Sequence, residues 1–303
     1  MSGFDALRRV ARAVTAVALV TAVGSMTACQ DGRPDTADTG RMVGGSGRAA
    51  NATRDGATRD GARGAPPVDS VAFSSLRAPV GDEMSYRGTR DTAALRGGTI
   101  SGRVEAANSV VGDTVISPTH DLRVCKPFTE TRTPSLDGGV GNAVVWLVGV
   151  TGGPMPDAPR RASLTLDRCQ LQPRVQRMAL GGTLQVTSRD AMSSRLRFVD
   201  VGRTTTVRAV IMLNDAGQVV PTADVASTSG LVEVRDDQHP WIRAYIAVVA
   251  HPFVVITDPR GAFRLDGVPP GEYSLVIWQE QSGVRTYMVR VRGGEETKIP
   301  SRK

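Results

Sequence analysis

From Gly97 to the C-terminus, apolar residues come in short runs separated by turn signals, a pattern that predicts strands and not helices. The runs are Thr99–Ala106, Asn142–Val148, Ala162–Asp167, Arg174–Ala179, Thr183–Ser188, Thr204–Leu213, Leu231–Arg235, Ala244–Ala250, Phe253–Thr257, Tyr273–Gln279 and Arg285–Arg292. Between them lie Asn214-Asp-Ala-Gly217, Asp258-Pro-Arg-Gly261 and Pro269-Pro-Gly271, all rich in the residues that tight turns demand. No apolar stripe with a period of 3.6 runs for a useful length through this region. The expected fold class is therefore all-β. About 200 residues are enough for two small β-sandwiches with cores of their own. Before Gly97 the pattern fails. Residues 29–96 are rich in Gly, Ala, Thr, Arg and Asp, with the near-repeat Ala52-Thr-Arg-Asp-Gly-Ala-Thr-Arg-Asp-Gly-Ala62. Large apolar residues are too sparse there to offset an ordering cost of about 1–2 kcal/mol per residue, so a disordered tether is expected. Only the stretch around Val71 to Val80 carries enough apolar residues to dock locally.

The N-terminus reads as a targeting segment. Arg8, Arg9 and Arg12 flank the apolar run Ala13 to Val23, which falls short of the roughly 20 residues a membrane span needs. The following Ser25-Met-Thr-Ala-Cys29 resembles the lipobox of bacterial lipoproteins, with Met26 in place of the commoner Leu. That resemblance implies removal of residues 1–28 and lipidation of Cys29; an ordinary cleaved secretory signal is the alternative. With Gln30 after the Cys, the implied address is the cell envelope: the periplasmic face of the outer membrane, or the cell surface. The membrane is then one partner, reached through the lipid. Three cysteines occur in all. With Cys29 assigned to lipid, Cys125 and Cys169 remain, and in an oxidising compartment such a pair forms a disulfide. A dithiol or metal pair is the alternative, but there is no CxxC spacing and no His beside Cys169.

Two families are resembled further on. The stretch Thr257-Asp-Pro-Arg-Gly-Ala-Phe-Arg-Leu-Asp-Gly-Val-Pro-Pro-Gly-Glu-Tyr-Ser-Leu275 resembles carboxypeptidase regulatory-like domains, which are prealbumin-type sandwiches. Asp258 and Gly261 are expected to make a tight hairpin, and Phe263 and Leu265 to share one face. The opening strands of such domains are matched far upstream, by Gly98-Thr-Ile-Ser-Gly-Arg-Val104 and Asn142-Ala-Val-Val-Trp-Leu147. Residues 97–155 and 252–303 are thus expected to form one sandwich, with residues 156–251 inserted as a second. The insert resembles a cupredoxin of Greek-key type. The matching residues are Cys169-Gln-Leu-Gln-Pro-Arg-Val175, the Gly-Gly-Thr-Leu-Gln-Val run at 181–186, Ser188-Arg-Asp190, and the loop from Leu231 to Tyr245 with His239-Pro-Trp241 inside it. The combination is similar to exported proteins of the methylamine utilisation type.

In cupredoxins the last loop carries a Cys thiolate, a His and often a Met, and another His comes from an earlier strand. Here the residues before His239 are Arg235, Asp236, Asp237 and Gln238; Ile242 stands at the Met position, and Ser194 or a neighbour at the first His. No metal and no other cofactor is expected, and His239 is a vestigial ligand position. Asp236 and Asp237 could still lend oxygen to weak, adventitious zinc or copper binding.

Charge and motif content narrow the classes left. The net charge is +7, with arginines dispersed among acids, so a nucleic-acid partner is not expected. No nucleophile–base pair, metalloprotease helix or phosphate loop is present, so no enzyme activity is expected. The aromatic residues Trp241, Trp278 and Tyr245 form a candidate sugar platform, although aromatics on strands more often belong to the core. The sequence thus points to an exported, non-enzymatic binding or interaction module with an unidentified protein or glycan partner. Copper electron transfer and carbohydrate binding at the surface are the two rivals.

Overall fold

The computed structural model describes residues 85–91, 96–106 and 112–300; the signal segment, Cys29 and most of the expected tether lie outside them. In chain order the strands are β1 (Arg87–Thr89), β2 (Gly98–Arg103), β3 (Asp113–Ile116), β4 (Phe128–Thr131), β5 (Val144–Val148), β6 (Gly152–Pro154) and β7 (Arg161–Asp167). Next come β8 (Gln170–Gln172), β9 (Val175–Ala179), β10 (Thr183–Ser188), β11 (Ser194–Asp200), β12 (Arg203–Leu213), β13 (Val219–Thr222) and β14 (Gly230–Asp236). The last are β15 (Arg243–Val249), β16 (Val254–Ile256), β17 (Ala262–Val268), β18 (Gly271–Gln279), β19 (Gly283–Val291) and β20 (Glu296–Ile299). The protein is all-β, and among the described residues a short helical turn spans Asp224–Ala226.

Four main sheets stack into two sandwiches. The first pairs a sheet ordered β16-β5-β18-β19 with one ordered β17-β2-β20. Ile100, Leu147, Phe263, Leu265, Leu275 and Ile277 interdigitate between them. The second sandwich pairs β13-β10-β7-β8 with β12-β11-β14-β15-β9. Its core holds Leu164, Leu184, Phe198, Leu213, Val234 and Ile246. Residues 161–249 thus build one sandwich, while strands from before and after them share the sheets of the other.

The sandwiches meet through a third apolar layer. β5 turns Val145 and Leu147 into its own core and Val144 and Trp146 into this seam. β15 does likewise, with Ala244, Ile246 and Val248 inward and Tyr245, Ala247 and Val249 in the seam. A strand buried on both faces has no polar alternate positions, which is why these two segments read as continuous apolar runs.

All eleven expected strands are present. Most of those that the pattern missed are short, such as β1, β6 and β8, or polar, such as β3, β4 and β20; β11 and β17, seven residues each with buried apolar positions, are the exceptions. Two expectations change. Part of the stretch expected as tether is folded: β1 pairs in parallel with β6, and the Tyr86 hydroxyl donates to the Pro154 carbonyl at 2.5 Å. The turn at Asp258–Gly261 exists, with Gly261 N–H donating to Asp258 O at 2.8 Å. It is not a hairpin, because β16 and β17 lie in different sheets. Gly261 is needed there: φ is +75°, and a Cβ would sit 2.1 Å from the Val104 carbonyl oxygen. Phe263 and Leu265 do share a buried face.

Candidate functional site

The loop that closes β14 onto β15 is short and doubly tied. Ile242 N–H donates to His239 O at 2.9 Å, and Asp236 N–H donates to Ile242 O at 3.2 Å. Of the four residues before His239, Asp237 and Gln238 face solvent, while Asp236 turns inward and is buried. Its Oδ1 accepts from the backbone N–H groups of Gln238 at 2.9 Å and His239 at 2.8 Å. The same oxygen lies 2.6 Å from His239 Nδ1. On the other side of the ring, Nε2 lies 2.8 Å from Oδ2 of Asp121, 118 residues earlier in the chain.

His239, which is fully buried, therefore sits between two carboxylates. An ionised carboxylate only accepts, so both contacts are hydrogen bonds when both ring nitrogens carry protons. While the clamp stands, each ring nitrogen is engaged by a carboxylate oxygen. Trp241 packs edge-on to the ring at 5.4 Å between centroids, and His120 does so at 6.2 Å. His120 itself is bound locally, with Nδ1 3.0 Å from Thr119 Oγ1.

The other positions implied by the cupredoxin resemblance are occupied but do not converge as ligands. Ser194 opens β11 and is buried, and its Oγ has no hydrogen-bond partner. Asp236 Oδ2 and Trp241 Nε1 are likewise enclosed without partners. Ile242, fully buried, contributes only aliphatic surface. Asp237 points away and pairs with Arg197 at 2.8 Å and Arg195 at 3.5 Å. Among the described residues, no three His, Cys, Asp or Glu side chains are grouped to hold a metal ion. The donor set does not fit copper: it lacks sulfur, and its one imidazole is engaged at both nitrogens.

Cys125 and Cys169 are joined as a disulfide. The bond ties the segment carrying Asp121 to the turn between β7 and β8. At that turn Arg168 and Cys169 both take left-handed φ values, 52° and 60°. Asp190 holds the strained pair, its two oxygens accepting from Arg168 N–H at 2.8 Å and Cys169 N–H at 2.7 Å. The thioether of Met192 packs against both sulfurs, 3.5 Å from Cys125 Sγ and 3.9 Å from Cys169 Sγ. The Ser188-Arg-Asp190 stretch thus fixes the disulfide turn.

The three rings of the candidate sugar platform are all buried and do not form one surface. Trp241 lies beneath the His239 loop. Tyr245 and Trp278 pack against each other in the seam, 4.6 Å between centroids. As folded, none presents a ring face on which a sugar could stack. His251, just before β16, is also buried; its Nδ1 accepts from Phe253 N–H at 3.2 Å.

Sequence reasoning missed one cluster altogether. Arg174 binds Glu280 through two hydrogen bonds, at 2.6 and 3.1 Å, and Glu130 through one at 2.6 Å. Its guanidinium stands 6.0 Å over the Tyr245 ring. Burial alone would lower the Arg174 pKa, but the Glu280 hydrogen bond and the charges of Glu280 and Glu130 outweigh it and raise it. Burial, followed by Glu280 and Glu233, pushes the Tyr245 phenol up. The Asp121–His239 and Glu130–Arg174 contacts left no signal in the sequence, because the partners lie 118 and 44 residues apart along the chain.

No family model matches the chain, and no curated protein matches it. Among solved structures it is similar to a reduced Cu(I) form of an amicyanin variant, at 16% identity and a TM-score of 0.25, over 29% of this chain and 81% of that one. It is similar to a purple cupredoxin from Nitrosopumilus maritimus, at 15% identity and 0.24, over 29% and 98%. A copper-containing nitrite reductase from Thermus scotoductus SA-01 is similar at 17% and 0.25, over 33% of this chain but only 24% of the enzyme. The chain thus has cupredoxins among its structural neighbours, over about a third of its length.

Proposed function

We propose that this chain is a non-enzymatic binding module of the cell envelope, carried by a lipid on Cys29, in which a cupredoxin-like sandwich has exchanged its metal for a hydrogen-bonded clamp. The observation that carries the reading is the engagement of both nitrogens of His239 by Asp236 and Asp121. An imidazole held in this way fastens two segments together. The orphaned Ser194 Oγ and Asp236 Oδ2 fit the same account, since they are oxygens at positions where a blue-copper site uses nitrogen and sulfur. The remaining regular surface is then available for a partner.

Copper titration tests this. The purified protein mixed with Cu(II) should develop no intense blue charge-transfer band; a band at one equivalent means a thiolate-type site exists and the reading is wrong. The anchor has its own test. Mass spectrometry of membrane-extracted protein should find a chain beginning at lipidated Cys29, and an uncleaved chain with a free Cys29 counts against it.

A further inference from the structure

One edge of the second sandwich lacks the protection found on the others. Exposed sheet edges are normally kept short, or interrupted by proline or charge, because their unpaired N–H and C=O groups can recruit another strand. β13 has four residues and contains Pro221; β8 has three and is followed by Pro173. β9, the opposite edge of the larger sheet, has five residues and carries Arg177, and β19 of the first sandwich is long but carries Arg285 and Arg290. β12 is the exception, with eleven residues and no proline. Among the described residues it pairs with β11 alone. Its one charge beyond Arg203, Arg208, is turned inward, bonded to Asp200 and to the carbonyls of Val225, Thr228 and Ser229. From Ala209 to Leu213 there is no charge, and Val210 and Met212 are 45% and 47% exposed.

The face beside this edge is basic. Arg197 lies opposite Val210 on one side and Arg235 on the other, and Arg235 lies opposite Arg243. Arg195 lies opposite Met212. Arginines facing one another across strands repel unless counter-charges intervene. Asp237 answers Arg195 and Arg197, and Glu233 answers Arg243 at 3.3 Å. Four guanidinium groups thus share two carboxylates, and Arg197 Nε–H is enclosed with no acceptor.

We propose that β12 is a docking edge for an extended acidic segment of another protein, added as an antiparallel or parallel strand. The inference rests on the reading of the chain as a binding module. Main-chain hydrogen bonds to β12 supply attachment. Alternate acidic side chains lie on the outer face beside Val210 and Met212, nearest to Arg195 and Arg197, and alternate apolar ones continue the inner face past the buried Ile211 and Leu213. A second copy of this chain is the poorer occupant, because it would bring the same uncompensated positive face.

The test uses the full chain and a fluorescent eight-residue peptide of alternating Glu and Val. Two controls accompany it: a Lys/Val peptide, and a Glu/Val peptide N-methylated at alternate amides. We expect saturable binding of the Glu/Val peptide that weakens with salt, and slower amide exchange at Ala209–Leu213 in its presence. The double variant Arg195→Gln with Arg235→Gln should weaken binding at least about tenfold, and neither control peptide should bind. Absence of binding, equal binding of the Lys/Val peptide, or binding without protection of β12 overturns the proposal. Protection of β12 in a dimer without peptide also overturns it, in favour of self-association. Copper titration is independent of this outcome. A blue band removes the parent reading and leaves the peptide result standing, whereas failed peptide binding without a band removes this inference alone.

Discussion

Two buried polar clusters hold the same segment, that containing β3 and β4, against the second sandwich, and they do so differently. At the seam, Arg174 engages Glu130 and Glu280, and Nη1 also donates to the Arg243 carbonyl at 3.1 Å. At the loop, His239 engages Asp121 and Asp236. The seam cation keeps its charge at any ordinary pH; an imidazole is the side chain most readily switched between charged and neutral. At the seam the guanidinium fork is satisfied. Around the loop, Ser194 Oγ, Asp236 Oδ2 and Trp241 Nε1 are left over. A fully paired cluster behaves as a structural seam. A cluster with leftover polar atoms is a less complete fastening, and the disulfide between the two clusters fastens the segment whichever of them yields.

This contrast can be broken first at the seam. Arg174→Ala strands the enclosed Glu280 carboxylate and leaves the enclosed Glu130 to Arg132 alone, so denaturant unfolding should show a loss of about 3–5 kcal/mol. A loss no greater than that of an exposed arginine would mean that the seam is solvated. Next comes the covalent tie. Replacing Cys125 and Cys169 together by Ser releases a constraint across 44 residues and should cost about 3–4 kcal/mol by the same measurement. The loop should follow. Asp236→Ala removes the acceptor for two backbone N–H groups and the imidazole, for about 2–3 kcal/mol. Asp121→Asn acts at a carboxylate 44% exposed, so its cost should stay below about 1 kcal/mol. If Asp121→Asn costs as much as Asp236→Ala, the clamp is tighter than its exposure implies.

The smallest effect is the pH dependence of the seam. Burial holds the Tyr245 phenol neutral, with a folded pKa above its ordinary value of about 10. The stability this contributes is complete below pH about 10 and is lost as pH rises through the folded value. Melting temperature should therefore fall at the alkaline end in the parent protein, and fall less steeply in Tyr245→Phe. An identical decline in both would place the alkaline sensitivity elsewhere, for example at Tyr86, whose hydroxyl burial pushes up to about 12.

Much of the architecture was legible because burial leaves a mark along the chain. The double-faced burial of β5 and β15 wrote continuous apolar runs, and alternation marked β7 and β10. β1 and β6 left no such mark, each being three residues long and rich in polar or glycine positions. The turn at Gly261 was legible, but not the sheets it joins, since turn chemistry is local and sheet membership is not. His239 was singled out by its motif. Its neighbour Asp236 was visible only as one acid of two, and nothing along the chain said which of Asp236 and Asp237 turns inward.

By itself, the sequence determined the fold class, the strands with strong apolar periodicity and the cysteine pair, because each is written in local pattern or in simple counting. Tertiary structure alone decided that Asp121 meets His239, that Arg174 sits between Glu130 and Glu280, and that β12 is left at an edge. These depend on which strands become neighbours after folding. A charge placed over a hundred residues away leaves no periodic trace, yet after folding it is packed against the imidazole's Nε2.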